Sequence, residues 1–281
     1  MNHAAETAAD AAPRRTSLRT GRFPATLGRF DAAEDRARID ELVAWIEARY
    51  REDLASRPSK HVYVRHLPPE IGVKIDALRD SDVIREAIAR RFDPGWRITP
   101  MKHTDELYLS HYNKDYGGDH GLFGKHYDGN LRFVPAGSVV RALIYLQSDA
   151  TYKVVFADSR VERAFASYEF GILDFHRELH WVEGAYRAED RQRILLKCNY
   201  LVAPPEAAFV TRALLAANTG VFYVVKAAME YSKSPRNPAQ RFVGMLCNLF
   251  RVLNNVHPVV PLALIGGVAA GLVWGVARLV G

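Results

Sequence analysis

The residues of this chain that could do chemistry begin with His126 and Asp128, which one residue separates, and continue with His180. Two imidazoles and one carboxylate are good ligands for a transition metal such as iron. When the three bind one face of the ion, the opposite face stays open for a substrate and for dioxygen. The set therefore predicts a metal centre that holds Fe(2+) through His126, Asp128 and His180.

Strand geometry explains how the first two ligands could act together. Side chains two residues apart in a β-strand point to the same side. His126 and Asp128 would therefore share one face, and Tyr127 between them would point away. An H-x-D pair alone is common by chance, so its meaning depends on the elements around it.

Those elements are short strands preceded by helices. From Gly95 onward, runs of alternating apolar and polar residues are separated by turn residues, as in ELYLSHY, VVRALIYLQ, YKVVFA and RQRILLKCNYLV. Several such strands in succession indicate a β-sandwich or barrel. Ahead of them, apolar spacing predicts helices over 35–51 and 83–92, and HVYVRHL predicts a strand over 61–67. The predicted class is α+β.

With these segments around the triad, the chain resembles the Fe(II)/2-oxoglutarate-dependent oxygenases, particularly their prolyl-hydroxylase-like branch. The resemblance spans residues 105–202 and follows the family's order of motifs. The matching positions are Tyr112, the pair His126 and Asp128, Tyr145 with Leu146, Gly171, Phe175, His180 and Arg193. The resemblance implies a double-stranded β-helix fold, also called a jelly roll. The chain has SDATYKVVFADSRVERAF where many members carry a Gly-Gly-Glu/Asp-Thr segment, so the substrate mouth is expected to differ.

The resemblance also implies a role for each matched residue. His126, Asp128 and His180 would hold Fe(2+), and 2-oxoglutarate would be the cosubstrate. Arg193 would pair with the far carboxylate of 2-oxoglutarate, because a guanidinium fork suits a planar anion. Tyr112 and Tyr145 are candidates for hydroxyl contacts to the same molecule. The implied outcome is hydroxylation of an unactivated C–H bond.

Several positions compete for these roles. His176 competes with His180 for the distal ligand, but His176 directly follows Phe175 and family members place several residues there. Arg191 and Lys197 share a strand face with Arg193 by parity, and Arg193 is preferred for its offset from Asn199-Tyr200. Arg141, on the face of Tyr145, is the alternative anchor for the cosubstrate.

Composition and charge restrict the class and the surroundings of the protein. Hydrophobic residues make up 48% and charged residues 25%, the proportions of an ordinary globular protein. The two cysteines, Cys198 and Cys247, form no C-x-x-C motif, so a reducing compartment fits best. Residues 206–281 contain seven Lys or Arg and two Glu, whereas 34–205 has a net charge of −1. Basic charge beside an apolar tail favours a membrane surface over nucleic acid.

The C-terminal region predicts a membrane anchor. No charged residue occurs from Val259 to Ala277, a length that can cross a bilayer core. Gly267, Gly271 and Gly275 would share one helix face and permit a homo-oligomer through close helix contact. A buried core helix is the alternative, although its glycines would weaken it. The basic residues that precede the segment predict a single-pass tail anchor with the catalytic domain on the cytoplasmic side.

The predicted organisation has four parts. A disordered arm covers 1–33, an oxygenase domain 34–205, an amphipathic helical segment 206–256 and the transmembrane anchor 257–281. Within 206–256, two helices over 206–231 and 239–256 are separated by SKSPRNP, and the first is expected to lie in the membrane interface. The sequence thus predicts a membrane-tethered dioxygenase acting on a lipid or a membrane-protein side chain. The alternatives are a hydroxylase of a soluble protein or metabolite, and a catalytically inactive binding or scaffold protein.

Overall fold

The computed structural model describes residues 24–56, 59–110, 125–128, 137–183, 193–232 and 236–256. The elements in chain order are β1 (Thr26–Arg29), α1 (Ala33–Ser56), β2 (Ser59–Tyr63), α2 (Pro69–Arg79), α3 (Asp82–Ala89), β3 (Arg97–Pro100), β4 (Glu106–Ser110), β5 (Ser138–Gln147), β6 (Asp149–Phe156), β7 (Val161–Ala166), β8 (Glu169–Asp174), β9 (His180–Glu183), β10 (Arg193–Ala203), α4 (Ala208–Ser232) and α5 (Pro238–Val256). Short 3-10 turns lie at Val64–His66, Lys102–Thr104 and Pro205–Ala207.

The strands form two antiparallel sheets. The larger sheet has the order β1-β8-β5-β10-β4-β2, with β3 also paired to β10, and the smaller has the order β7-β6-β9. The long strands β5 and β10 lie side by side in the middle, with Tyr145 opposite Leu195 and Arg141 opposite Asn199. Non-consecutive strands are neighbours throughout the larger sheet, so segments distant in the sequence meet there. This sheet-rich α+β fold is consistent with the predicted jelly roll.

The inner faces of the two sheets pack on each other. Leu143 and Tyr145 of β5 share a buried apolar cluster with Phe156 of β6 and Phe165 of β7. Gly171 of β8 permits the close approach of the sheets, because a Cβ there would lie 2.8 Å from the Phe165 ring. Gly171 is therefore needed inside the strand, because a side chain there would push the sheets apart.

The outer face of the larger sheet is covered by the N-terminal helices. Along β5, the even-numbered residues Ala142 and Ile144 join a core with Ile39 and Ile46 of α1. In α1 the buried residues recur at a spacing of three and four, which turns one side of the helix toward the sheet. The strand is thus buried on both faces, so VVRALIYLQ is more continuously apolar than the alternating pattern assumed for it from the sequence.

Three features of the N-terminal half differ from the prediction. The prediction of a disordered arm over 1–33 is wrong for its last part, because Thr26–Arg29 form β1, which pairs with β8, and Phe30 is fully buried. The strand predicted over 61–67 ends at Tyr63 and continues as a 3-10 turn. Helix α2 was not predicted, although Pro69 occupies the first helical turn and its buried residues follow helical spacing.

The C-terminal helices α4 and α5 coincide closely with the predicted ones and pack against each other. In the part of the chain that is described, no helix combines the length and the apolar character needed to cross a membrane. The predicted span over Val259–Ala277 and its glycine face lie outside the described residues.

Candidate metal centre

The structure brings the three predicted ligands together. His126 lies in an isolated antiparallel bridge with His180, the first residue of β9. Each backbone N–H donates to the carbonyl oxygen of the other residue at 3.0 Å. The two imidazole rings lie side by side, with centroids 4.5 Å apart. This bridge attaches the H-x-D segment to the edge of the smaller sheet and places Asp128 two residues further on.

The distances among the ligand atoms suit a metal ion. One ligand atom from each of the three side chains lies within 4.8 Å of the other two. Asp128 Oδ1 is 3.6 Å from His126 Nε2, and Asp128 Oδ2 is 3.6 Å from His180 Nε2. Ligand atoms that bind one ion at about 2 Å each lie at separations of this size, so the three groups leave room for an ion among them. Two nitrogens and one oxygen are the donor set of non-haem Fe(II) centres.

The tautomer of His180 is defined by its surroundings. Its Nδ1 lies 3.2 Å from the carbonyl oxygen of Glu178. A carbonyl only accepts hydrogen bonds, so Nδ1 carries the proton and Nε2 presents its lone pair toward Asp128. Burial lowers the pKa of His180 below its ordinary value, against the opposing effect of the Asp128 charge. The imidazole is therefore neutral near pH 7, as metal binding requires.

Asp128 is held as an anion by a nearby guanidinium. Arg141 Nη1 lies 2.9 Å from Asp128 Oδ2, and the two side chains are 9% and 12% exposed. Burial alone would raise the pKa of Asp128, but the positive charge of Arg141 outweighs it, with His180 and His126 acting in the same direction, and holds that pKa well below its ordinary value. The carboxylate is consequently ready to bind a cation without first losing a proton.

Arg141 is itself fixed from two sides. Its Nε donates to Asn199 Oδ1 at 2.9 Å, and its guanidinium lies 4.3 Å from the centre of the Phe175 ring. The side-chain amide of Asn199 donates to Thr104, and its backbone N–H donates to the buried Asp105 at 2.9 Å. The sequence suggested Arg141 only as an alternative cosubstrate anchor. The structure shows its guanidinium bound to a predicted metal ligand.

Arg193 has different neighbours. Its Nε lies 3.3 Å from Ser110 Oγ, and its guanidinium is 5.6 Å and 5.5 Å from the ring centres of Tyr108 and Tyr152. The residue is 7% exposed. Within the ranges that the structure describes, no carboxylate forms an ion pair with it. Arg193 is therefore a buried cation that can accept an anion from outside these residues.

Tyr145 is electrostatically linked to Arg193. Its ring stacks on Phe165 with centroids 4.4 Å apart and is 2% exposed. Burial raises the pKa of the Tyr145 phenol well above its ordinary value, although the charge of Arg193 acts in the opposite direction. The phenol therefore stays protonated and can donate a hydrogen bond at any physiological pH.

Lys197, one competitor of Arg193, is already neutralised. Its Nζ lies 3.0 Å from Glu106 Oε1, and His61 Nδ1 lies 3.3 Å from the other oxygen of that carboxylate. Burial alone would raise the pKa of Glu106. The charge of Lys197 has the larger opposite effect, so the pKa lies well below its ordinary value. Arg191, the other competitor, lies outside the described residues, as does Tyr112.

His176 is not part of the ligand group that the described residues form. It is buried beside the Phe175 ring at 4.8 Å, and its backbone N–H donates to Asp174. Three polar groups near the site were not predicted to be functional, namely Glu106, Asn199 and Glu178. Of these, only Asn199 lies inside a run of apolar strand residues, in β10, and that polar interruption was its signal.

Known proteins similar to this chain were found only among solved structures. No protein-family model matches the chain, and no curated protein matches it. Solved structures similar to the chain include prolyl 4-hydroxylase from Phytophthora capsici, with 15% identity over 85% of this chain and 82% of that chain and a TM-score of 0.46.

Two further similar structures bear on the same class. A 2OG-Fe(II) oxygenase family oxidoreductase from Burkholderia pseudomallei has 16% identity over 63% of this chain and 83% of that one, with a TM-score of 0.41. The epimerase SnoN, solved with Fe3+, alpha ketoglutarate and nogalamycin RO, has 13% identity over 66% and 82%, with a TM-score of 0.43. The names of these proteins are those of iron- and 2-oxoglutarate-dependent enzymes, the class that the motifs of this chain resemble. Since every TM-score is below 0.5, the site rests on its own geometry.

Proposed function

We propose that this chain is an Fe(II)- and 2-oxoglutarate-dependent dioxygenase that hydroxylates an unactivated C–H bond. The observation that carries the proposal is the convergence of His126, Asp128 and His180 on one point, with ligand atoms within 4.8 Å of one another. When bound, Fe(2+) supplies the redox chemistry by which dioxygen converts 2-oxoglutarate to succinate and carbon dioxide and C–H to C–OH. The residues around it supply charge, orientation and binding.

Each residue contributes a distinct part. The two imidazoles are neutral donors, while the Asp128 carboxylate offsets part of the charge of a divalent ion. Arg141 occupies the side of that carboxylate that faces the larger sheet, so the carboxylate cannot rotate freely. Arg193 would bind the far carboxylate of 2-oxoglutarate through its remaining N–H donors. The Tyr145 hydroxyl would donate to the same anion.

Purified full-length protein tests this proposal directly. We expect it to bind one Mn(II) or Co(II) in place of Fe(II), and to convert 2-oxoglutarate to succinate when Fe(II) and dioxygen are supplied. The double variant His126→Ala/Asp128→Ala should lose both properties. A matched control is His66→Ala, since His66 is an exposed histidine outside the ligand group. Wild-type protein that takes up neither metal nor 2-oxoglutarate would instead be the binding or scaffold protein.

The substrate that we propose is a lipid or a membrane-protein side chain. The proposal is supported by the uncharged segment Val259–Ala277 and by the net charge of +5 over 206–281, which together favour attachment to a membrane with anionic lipids. Comparing lipids from cells that express the wild type or the His126→Ala/Asp128→Ala variant tests the first substrate, and peptide mass spectrometry of the membrane fraction tests the second. A difference confined to soluble proteins or metabolites would contradict both.

A further inference from the structure

The exposed apolar side chains of this protein are concentrated on its C-terminal helices. Within the described ranges, eleven large hydrophobic residues are exposed. Nine of them belong to α4 and α5, namely Phe209, Val210, Leu214, Val224, Tyr231, Phe242, Met245, Leu246 and Leu249, and the other two are Leu27 and Val73. Scattered exposed hydrophobic residues are normal, but a concentration on one hairpin indicates an interaction surface.

Helix α5 carries the most regular part of this surface. Phe242, Met245, Leu246 and Leu249 are 57%, 57%, 43% and 44% exposed and recur at the spacing of one helix face. We refer to these four residues as the α5 stripe. The side of α5 at Gly244 is occupied by α4, because a Cβ there would lie 3.3 Å from the Ser232 Cβ. The stripe therefore points away from the contact between the two helices.

The charge of the hairpin indicates the kind of surface that it would meet. Residues 206–256 contain six Lys or Arg and two Glu, and Arg212 and Arg241 are exposed. A helix with an apolar stripe and basic residues, yet too polar to cross a bilayer, lies in the plane of an anionic membrane surface. The uncharged segment from Val259 to Ala277 follows α5 after two residues, so a lipid surface would be close to the end of the helix.

The hairpin contacts the domain at the end of the larger sheet where Arg141 binds Asp128, which we call the metal end. Thr211 and Leu215 of α4 are buried, and Leu215 packs with Val139 of β5. Phe175 joins the same cluster, and its ring lies against the guanidinium that holds Asp128. A surface that binds the hairpin would thereby contact, through Phe175, the end of the larger sheet where Arg141 binds Asp128.

We propose that the α4–α5 hairpin is a membrane-surface binding element that inserts the α5 stripe among anionic phospholipids. The hairpin would bring the proposed lipid or membrane-protein substrate to the metal end of the domain, and in that respect this inference rests on the proposed function. Binding of the hairpin to lipid requires neither metal nor turnover, so either proposal can be wrong while the other holds.

Position-specific fluorescence tests this surface in the full chain. An environment-sensitive dye is attached to a cysteine introduced by Leu249→Cys, in a Cys247→Ala background in which the remaining Cys198 is buried. Val73→Cys provides the matched control, because Val73 is 68% exposed and lies on α2. The probe is phosphatidylcholine vesicles with and without 30% phosphatidylserine, both containing a spin-labelled quenching lipid.

On vesicles with phosphatidylserine, we expect the emission of the dye at position 249 to shift to the blue and the spin-labelled lipid to quench it. Without phosphatidylserine, or when Arg241→Glu is added to the protein, the vesicle concentration needed for half of this change should rise at least about tenfold. The dye at position 73 should not respond. Protein that sediments with vesicles while the dye at 249 stays unquenched would overturn the proposal. A shift that depends on protein concentration without vesicles would also overturn it, because a second copy would then cover the stripe. Protein treated with a metal chelator should behave like untreated protein.

Discussion

Two buried arginines on the inner face of the larger sheet have opposite surroundings. Arg141 lies opposite Asn199 on β10, and its guanidinium is bound by the Asn199 amide and the Asp128 carboxylate. Arg193 lies six residues earlier on β10, where its neighbours are the Ser110 hydroxyl and two tyrosine rings. Both residues are 7% exposed. Two neighbouring strands, β5 and β10, thus bury the same charge in different ways at opposite ends of one sheet face.

The difference lies in how each buried charge is paired. A buried charge is costly unless it is paired and hydrogen-bonded. Arg141 meets this requirement within the protein and, in doing so, orients a metal ligand. Arg193 has five N–H donors, of which one has a described hydrogen-bond acceptor, so it can still receive a planar carboxylate in bidentate fashion. From this comparison we propose that Arg141 orients the candidate ligand Asp128 and that Arg193 binds the cosubstrate.

Removal of the carboxylate at the Arg141 end should have the largest effect. We expect Asp128→Ala to weaken Mn(II) binding more than about 100-fold, since even supporting groups around a ligand are worth 10–100-fold. Titration calorimetry on chelator-treated protein measures the affinity. The variant also leaves Arg141 buried without its carboxylate, so the metal-free protein should unfold at a lower temperature than the wild type. Unchanged metal affinity would remove the basis of the comparison.

At the other end, Arg193→Ala should weaken 2-oxoglutarate binding by about 10–100-fold, because hydrogen bonds to charged groups contribute about 1.5–3 kcal/mol. Mn(II) affinity should stay within about twofold, since Arg193 is not among the ligands. Arg193→Lys should recover part of the binding, as it keeps the charge but loses the fork. Competition with a fluorescent 2-oxo acid analogue on Mn(II)-loaded protein gives the affinities.

Arg141→Met should show the reverse pattern with a smaller effect. We expect Mn(II) affinity to fall about tenfold, since the Asp128 carboxylate loses the group that orients it, while 2-oxoglutarate affinity changes little. Arg36→Met is a suitable control, because Arg36 pairs with the exposed Asp31 far along the chain from the ligands. If Arg141→Met abolished 2-oxoglutarate binding and Arg193→Ala did not, the roles of the two arginines would have to be exchanged.

The sequence predicted the convergence of the three candidate ligands better than their surroundings, for a physical reason. His126, Asp128 and His180 are recognisable because metal coordination restricts residue types, and β5 and β10 because buried strands need long apolar runs. The neutralisation of Lys197 by Glu106 depends on strand register between segments that are 91 positions apart in the numbering, which no local pattern contains. β1 was missed because TLGR has weak strand character and is stabilised by pairing with β8. For α2, the Pro69 start and the spacing of Ile71, Ile75 and Leu78 were readable signals.

The smallest expected effect is that of Tyr145→Phe, which tests whether the Tyr145 hydroxyl contributes to anion binding beside Arg193. We expect Tyr145→Phe to weaken 2-oxoglutarate binding about two- to tenfold, the value of one hydrogen bond of about 0.5–1.5 kcal/mol. The unfolding temperature should change little, because the ring that stacks on Phe165 is retained. Tyr168→Phe is the control, since that hydroxyl donates to the exposed side chain of Asp40.

The pH dependence of the Tyr145→Phe effect separates hydrogen bonding from ionisation. Burial raises the pKa of the Tyr145 phenol, so the folded protein keeps it as a neutral O–H donor from pH 6 to pH 9. The ratio of the wild-type to variant affinities should therefore be constant over that range, as competition titrations at three pH values would measure. A ratio that changed with pH would mean that the phenol ionises near Arg193, and the pair would then be an internal ion pair like Arg141 and Asp128 instead of an open site for an anion.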